Sequence, residues 1–315
     1  MEQAEVTEQA TELHSPIPAP TVVLPAESNR GTSQPAHVSP AICANCGTAA
    51  DNYNGNGATA PSYVFAIGRV EMRFPTLSVE KEFAQATGRA NTKDLNDREA
   101  AHAVLSDRSN RYIARQICWV FTIEGLETYI LVPRDPADYD QLLEAVRPHP
   151  SPLDLDVVVG FKGPIAPPEM CNGLMVPIVA FDQIYSFDRA ALIKAIPAPG
   201  KGKGKNYGAA AEELFDRIML VADNAGSTDE HRALNYLAVR YPAIYHTVSD
   251  AFARDASLTA VDVQSSPLSG TRNVVEVIFS FTNRNTDVID KFFTRVDVTE
   301  EFPFLVTKMS PYFDR

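Results

Sequence analysis

The fold is decided by one stretch of sequence, Cys118-Trp119-Val120-Phe121-Thr122-Ile123, which Glu124-Gly125 and then Leu126 to Val132 follow. β-Branched and aromatic residues fill both runs, and the short Glu-Gly segment between them is typical of a tight turn. The stretch therefore predicts a β-hairpin, with Cys118 on a buried strand.

Strands and helices are predicted on both sides of this hairpin from hydrophobic periodicity and from capping and turn residues. The predicted strands are Tyr63–Met72, Val157–Val159, Val176–Phe181, Leu258–Val263, Val274–Thr282, Val288–Val298 and Phe304–Met309. The predicted helices are Ser78–Thr87 ended by Gly88, Asp97–Leu105, Pro136–Val146, Ala209–Ala222, Asp229–Arg240 and Ala243–Arg254.

This order of strands, then helices, then strands predicts an α+β fold with mixed or antiparallel sheets and a central group of helices. The first sixty residues hold six acidic residues against one basic residue and many Pro, Ala and Thr. A segment so poor in hydrophobic residues cannot offset the entropy of ordering. We therefore expect residues 1–40 to be a disordered, acidic, Pro-rich linker, as a truncated multidomain protein would leave, and residues 41–315 to form one compact domain.

Composition and charge exclude several classes of protein. The chain of 315 residues is 45% hydrophobic, enough for a real core, but no run reaches the roughly 18 to 20 apolar residues of a membrane helix. Residues 1–10 are acidic, unlike a secretory signal, so a cytoplasmic location is expected. A net charge of −12 repels phosphate backbones and disfavours binding to nucleic acid.

The four cysteines predict a structural metal site. Cys43 and Cys46 form a Cys-x-x-Cys pair, the spacing of half a tetrahedral zinc site, and Cys118 and Cys171 supply two further thiolates. In a reducing cytoplasm, ligation of Zn²⁺ is favoured over disulfides for the close pair. A lesser form of the site includes His37 or His102. The alternative is that Cys118 and Cys171 are small buried hydrophobic residues.

Other motifs carry weaker signals for chemistry. The run Gly200–Lys205 alternates Gly and Lys but does not fit a phosphate-binding loop, so a solvated loop is expected. Gly31-Thr32-Ser33 has a shallow likeness to a subtilisin nucleophile, and Asp154–Asp156 is more simply a turn before a strand. His231 and His246 fall on predicted helices. No recognisable nucleophile and base pair emerges, so catalysis is not predicted.

Six segments together resemble the C-terminal domain of PatG-type cyanobactin maturation proteases. The resemblance extends from about Cys43 to Arg315 and is carried by Tyr63–Arg69, Arg73–Pro75, Val79–Phe83, Asn110–Tyr112, Asn172–Pro177 and Asn235–Pro242. It implies a cytoplasmic, modular machine that tailors ribosomally made cyclic peptides, and a dimeric domain of unassigned chemistry that contains zinc. The subtilisin-like protease domain of such proteins is absent from this sequence.

The resemblance and the residues together predict a non-catalytic accessory domain, held by zinc through Cys43, Cys46, Cys118 and Cys171. It would act by assembly, as a homodimer, or by docking the precursor peptide or partner enzymes. The alternative is a peptide-modifying enzyme or a subunit of the maturation peptidase or macrocyclase. A zinc ion with an open coordination position would favour that alternative.

Overall fold

The computed structural model describes residues 62–90, 97–148, 155–187, 207–219 and 223–313. The whole of the predicted linker and the start of the predicted domain, residues 41–61, therefore lie outside the described residues. The described strands are β1 (Tyr63–Arg73), β2 (Cys118–Ile123), β3 (Leu126–Pro133), β4 (Leu155–Ile165), β5 (Pro177–Phe187), β6 (Ala256–Ser265), β7 (Val274–Asn283), β8 (Ile289–Asp297) and β9 (Phe304–Pro311). The described α-helices are α1 (Leu77–Arg89), α2 (Asp97–Ser106), α3 (Arg111–Ala114), α4 (Tyr139–Ala145), α5 (Tyr207–Met219), α6 (Asp229–Arg240) and α7 (Ala243–Ala253).

The predicted hairpin is confirmed. Glu124 and Gly125 both have positive φ, 51° and 81°, the backbone of a two-residue turn that matches the twist of the paired strands. Helix α1 differs from its prediction, because it runs through Gly88 to Arg89. The helix predicted from Pro136 begins as a 3₁₀ turn over Pro136–Asp138 and becomes α-helical only at Tyr139.

The first five strands form a closed barrel in the order β1-β2-β3-β5-β4. All of its pairings are antiparallel except that of β3 with β5, which is parallel and joins Ile130 to Ile178 and Pro133 to Phe181. One face of these strands packs against α1–α4 in a single hydrophobic cluster that includes Val64, Phe121 and Leu142. The barrel therefore has its own core, and the helices that follow β1 and β3 complete it.

The last four strands form an antiparallel sheet in the order β6-β7-β8-β9. Alternate residues of β7, among them Val275, Val277 and Phe279, pack into a second cluster with buried residues of α5–α7. The same cluster takes in Phe65 and Val157, from the face of β1 and β4 that points away from α1–α4. The α+β fold, with mixed and antiparallel sheets and a middle group of helices, is confirmed.

Strand β1 joins the barrel to the rest of the fold because its two halves have different neighbours. Residues Tyr63–Gly68 pair with β4, whereas Arg69–Arg73 pair with β2. In the first half, the N–H of Phe65 donates to the carbonyl of Gly226 (2.8 Å), and the carbonyl of Phe65 accepts from the side-chain amide of Asn235 (2.9 Å). The backbone hydrogen-bonding groups at this edge of β1 thus find their partners in the segment before α6 and in α6 itself.

Gly226 is required by this close approach. Its φ is +67°, and a Cβ there would lie 2.4 Å from the carbonyl oxygen of Phe65. The substitution Gly226→Ala is therefore expected to combine a backbone strain of about 1 to 2 kcal/mol with a backbone clash. We expect the free energy of unfolding, measured by chemical denaturation, to fall by more than about 2 kcal/mol.

Two other glycines separate the effect of backbone strain from the effect of the backbone clash. Gly173→Ala has a positive φ of +85° but open space around the new Cβ, and Gly270→Ala has open space without a positive φ. We expect an intermediate loss for Gly173→Ala and almost none for Gly270→Ala. Equal losses for Gly226→Ala and Gly173→Ala would show that the approach to β1 does not matter.

Candidate functional site

Cys118 and Cys171, two of the four predicted zinc ligands, are joined as a disulfide across 53 residues of sequence. Cys118 begins β2, and Cys171 lies in the loop between β4 and β5. Both are buried, in a small cluster with Val120, Ile130 and Ala166. The predicted proximity of the two residues is thus found in the structure, but as a covalent bond and not as two free thiolates.

The predicted zinc site is only partly visible in the described residues. Cys43, Cys46 and His37 lie outside them, and His102 lies in α2. Within the described ranges, no group of three or more His, Cys, Asp or Glu residues could hold a metal ion. A thiolate is the form of cysteine that binds zinc, so Cys118 and Cys171 can ligate only after their disulfide is reduced. The four-cysteine site stays a prediction.

The remaining candidate residues either lie in helices and strands or lie outside the described residues. Residues 200–206, 31–33 and Asp154 are outside it. Asp156 is fully buried in β4, where it accepts hydrogen bonds from the Val70 N–H (2.9 Å) and the Ser186 hydroxyl. Burial raises the pKa of Asp156. His231 and His246 lie in α6 and α7 as predicted.

The C-terminal sheet carries a groove that no sequence motif marked. The groove, of about 500 Å³, lies on the face of the sheet opposite α5–α7, because its strand residues alternate with those that pack on the helices. We call it the outer groove. It is lined by Gln264, Pro267, Leu268, Glu276, Phe293, Arg295, Pro311, Tyr312 and Phe313.

A polar row crosses the floor of the outer groove. Strand register places Gln264 of β6 opposite Glu276 of β7, and Glu276 opposite Arg295 of β8. The Arg295 guanidinium donates to Glu276 (2.8 Å) and lies 4.6 Å above the centroid of the Phe293 ring. Its Nε is buried and has no acceptor among the described residues. The floor is thus neutral in charge.

The rim of the outer groove is aromatic and exposed. Tyr312 packs edge-on against Phe293, with 5.7 Å between ring centroids. Phe313 is 80% exposed and Leu268 is 64% exposed. Exposed aromatic and aliphatic residues that surround a concave surface are typical of a binding site and not of a packed interior.

A second cluster lies where the loop after β8 meets the barrel. The buried guanidinium of Arg232 donates to the carbonyls of Val298 (2.6 Å), Glu300 and Glu301 (3.2 Å), and so fixes this loop. Burial and a hydrogen bond with Asp182 raise the pKa of Glu301 to about 8, although Arg134 and Arg232 oppose the shift. Arg134 is itself paired with Asp182. Glu301 therefore keeps its proton to a higher pH than an ordinary glutamate does.

The sequence profile of the family described as "PatG C-terminal" matches residues 201–312. Residues 201–312 are thus similar to the C-terminal domain of PatG. The match spans α5 to β9 and includes every residue of the outer groove except Phe313. The recognition made from the sequence is thus confirmed.

One solved structure, described as "PatG Domain of Unknown Function", is similar to this chain, with a TM-score of 0.66 and 21% sequence identity. The similarity covers 80% of this chain and 99% of that chain. It shows that the two chains share a fold. No curated protein matched the sequence.

Sequence reasoning missed the outer groove. The aromatic and polar residues of the C-terminal strands were visible, but Gln264, Glu276 and Arg295 are separated by 12 and 19 positions. Only the register of β6, β7 and β8 places them in one row. A pattern of alternating polar residues in three neighbouring strands was the available signal.

The disulfide predicts a specific count of reactive thiols. In the oxidised form that the structure describes, the protein denatured without reductant should expose two alkylatable cysteines, Cys43 and Cys46, and after reduction it should expose four. Mass spectrometry of the alkylated chain gives both counts, and zinc is measured in the same sample. Four reactive thiols before reduction, together with one equivalent of zinc, would contradict the disulfide and support the four-thiolate site.

The raised pKa of Glu301 predicts a dependence of stability on pH. The folded state holds a proton that the unfolded carboxyl releases near its usual pKa of 4.5, so stability falls as pH rises from about 4.5 to about 8. In Glu301→Gln, which keeps the neutral form, the melting temperature should fall less over this range. Glu300→Gln is the matched control and should retain the wild-type slope; equal slopes in all three proteins would refute the assignment.

Proposed function

We propose that this chain is a non-catalytic accessory domain in the maturation of ribosomally made cyclic peptides, and that it docks the precursor peptide in the outer groove. The observation that carries the proposal is the neutral polar row of Gln264, Glu276 and Arg295 beneath an exposed aromatic rim. The setting, peptide maturation, rests on the likeness to PatG-type proteins.

The groove has the properties that extended peptides require. Aromatic rings such as those of Tyr312 and Phe313 provide flat apolar surfaces. Because these side chains have few rotatable bonds, they lose little conformational entropy on binding. The ion pair of Glu276 and Arg295 is neutral overall, so an uncharged stretch of peptide leaves no charge in the groove unpaired. Because the site stands on strands of a packed sheet, it is already formed before a ligand arrives.

The lining of the groove favours docking over chemistry at this site. A peptide-modifying enzyme or a peptidase subunit needs a nucleophile beside a base, as Ser and His or Cys and His provide. The residues that line the outer groove include no Ser, Cys or His. Its one carboxylate, Glu276, is paired with Arg295. An enzymatic role would therefore have to be located elsewhere in the chain.

Three further parts of the proposal rest on the resemblance and on the cysteine pattern. They are a structural zinc ion at Cys43, Cys46, Cys118 and Cys171, a homodimer, and a cytoplasmic location. In the described residues, no helix is long and apolar enough to cross a membrane. A reducing compartment would keep Cys118 and Cys171 as the thiols that zinc requires.

Binding of a fluorescent precursor peptide to the full chain, measured by anisotropy, tests the docking role. Tyr312→Ala and Phe313→Ala should each weaken binding about tenfold, because each removes a ring from the rim of the groove on which the peptide would stack. Phe313 is 80% exposed, so Phe313→Ala should melt at the wild-type temperature.

Two controls make this test specific. Tyr312→Phe keeps the ring and should bind nearly as wild type does, whereas Leu126→Ala removes a residue that is 72% exposed in the distant β3 strand and should have no effect. Unchanged affinity in both alanine variants of the rim would refute docking in the outer groove.

A further inference from the structure

A small cavity of about 240 Å³ lies beside the disulfide of the barrel. Most of its lining is apolar and comes from the start of β2 and from β3, and it reaches the surface at the exposed residues Arg115 and Gln116. Pockets for drug-sized ligands have volumes of roughly 300 to 1,000 Å³. This cavity is smaller, so it suits a molecule of only a few heavy atoms.

The two sulfurs of the disulfide differ in their access to the cavity. Cys118 lines the cavity and is 6% exposed, whereas Cys171 is fully buried and does not line it. In thiol–disulfide exchange, the attacking thiolate bonds to one sulfur, and the other sulfur leaves. A reagent in the cavity therefore meets Cys118 first, which makes Cys171 the leaving group.

The lining of the cavity carries one charge, that of Arg115, among the described residues. No described carboxylate forms an ion pair with its guanidinium. Burial raises the pKa of Tyr139, and the charge of Arg115 opposes that shift, which places the charge close to the cavity wall that Tyr139 forms. A positive charge stabilises a thiolate relative to its thiol, so this position favours the reactive form of an incoming thiol.

We propose that the cavity admits a small aliphatic thiol, which opens the disulfide by attack on Cys118. The incoming thiolate bonds to Sγ of Cys118, the bond between the two cysteine sulfurs breaks, and Cys171 leaves as a thiolate that takes a proton from water. A second thiolate then attacks the sulfur of the first small thiol and releases Cys118 as a thiolate. Two small thiols are thus oxidised to one small disulfide, and the disulfide of the protein is reduced to two thiols.

The mixed disulfide makes Cys118 a site of reversible modification by thiols. Once Cys171 has left, the loop between β4 and β5 loses its covalent bond to the barrel wall. It keeps a hydrogen bond from the Ala166 N–H to the Val176 carbonyl (2.9 Å) and one from Arg73 to the Asn172 carbonyl (3.4 Å). The inference goes beyond peptide docking and does not depend on it, because none of these residues lines the outer groove.

Two cysteine variants test which sulfur the cavity exposes. Cys171→Ser and Cys118→Ser both remove the disulfide, and each leaves one of the two thiols. Each full-length variant is treated with the disulfide of 2-mercaptoethanol, and peptide mass spectrometry gives the rate of mixed-disulfide formation at the remaining cysteine. Each rate is divided by that of the same cysteine in urea. Cys118 should react at least about tenfold faster than Cys171. Equal rates, or a faster reaction at Cys171, would overturn the inference.

A second pair of variants tests the route by which the thiol enters. Met170 and Leu174 are both partly buried in the loop between β4 and β5, but Met170 lines the cavity and Leu174 does not. Met170→Ala should speed reduction of the oxidised chain by 2-mercaptoethanol about fivefold, and Leu174→Ala should leave the rate close to that of wild type. Equal acceleration would show entry by loop movement and would refute the cavity route. So would a wild-type rate that stops rising with thiol concentration, because opening of the fold would then limit the reaction.

Thiols of opposite charge test the role of Arg115. Reduction by 2-mercaptoethanesulfonate should be at least about threefold faster than by 2-aminoethanethiol at low salt, after each rate is divided by that for the chain in urea. The net charge of −12 acts against this preference, so its source must be local. Arg115→Gln should abolish the preference, whereas Arg108→Gln, an equal change of charge at an exposed residue outside the cavity, should retain it. No preference in wild type, or an equal loss in both variants, would contradict the proposal.

Discussion

The fold depends on the hydrogen bonds made by the backbone at one edge of β1, in the half of the strand that begins at Tyr63. In this half, β1 has a strand neighbour on one side only, so the N–H and carbonyl of Phe65 would otherwise face an apolar cluster unpaired. Gly226 and Asn235 supply the two partners, and Asn235 is held by reciprocal amide hydrogen bonds with Asn224 of 2.8 and 3.1 Å. This buried polar contact lets the barrel and the helices that carry the C-terminal sheet share one core.

The outer groove is positioned by the same core. The inner face of β7 packs on α5–α7, which fixes the tilt and register of the sheet and leaves Glu276 and Arg295 on its other face. Arg232 anchors the loop after β8 by donating to three of its carbonyls, so the start of β9 is also held in place. The binding surface is therefore formed by the packing of the opposite face and not by contacts between its own residues.

Local features were predictable from sequence, and long-range ones were not. The hairpin of β2 and β3 followed from two apolar runs around Glu124-Gly125, and α6 began at the predicted Asp229 because Thr228 caps it. Closure of the barrel could not be predicted, since β3 pairs with β5 and not with its neighbour in sequence, β4. The meeting of Cys118 with Cys171 depends on that closure, because one residue lies in the barrel wall and the other in the loop that leads into β5.

The parallel pairing of β3 with β5 also sets an order of events during synthesis. Val132 cannot find Ala180 until both β4 and the loop with Cys171 have left the ribosome, so the barrel stays open while almost fifty further residues are made. Contacts so distant in sequence form slowly, and an open sheet edge invites association with other chains. In a nascent chain, the edge of β3 that pairs with β5 therefore stays without its partner strand until β5 emerges.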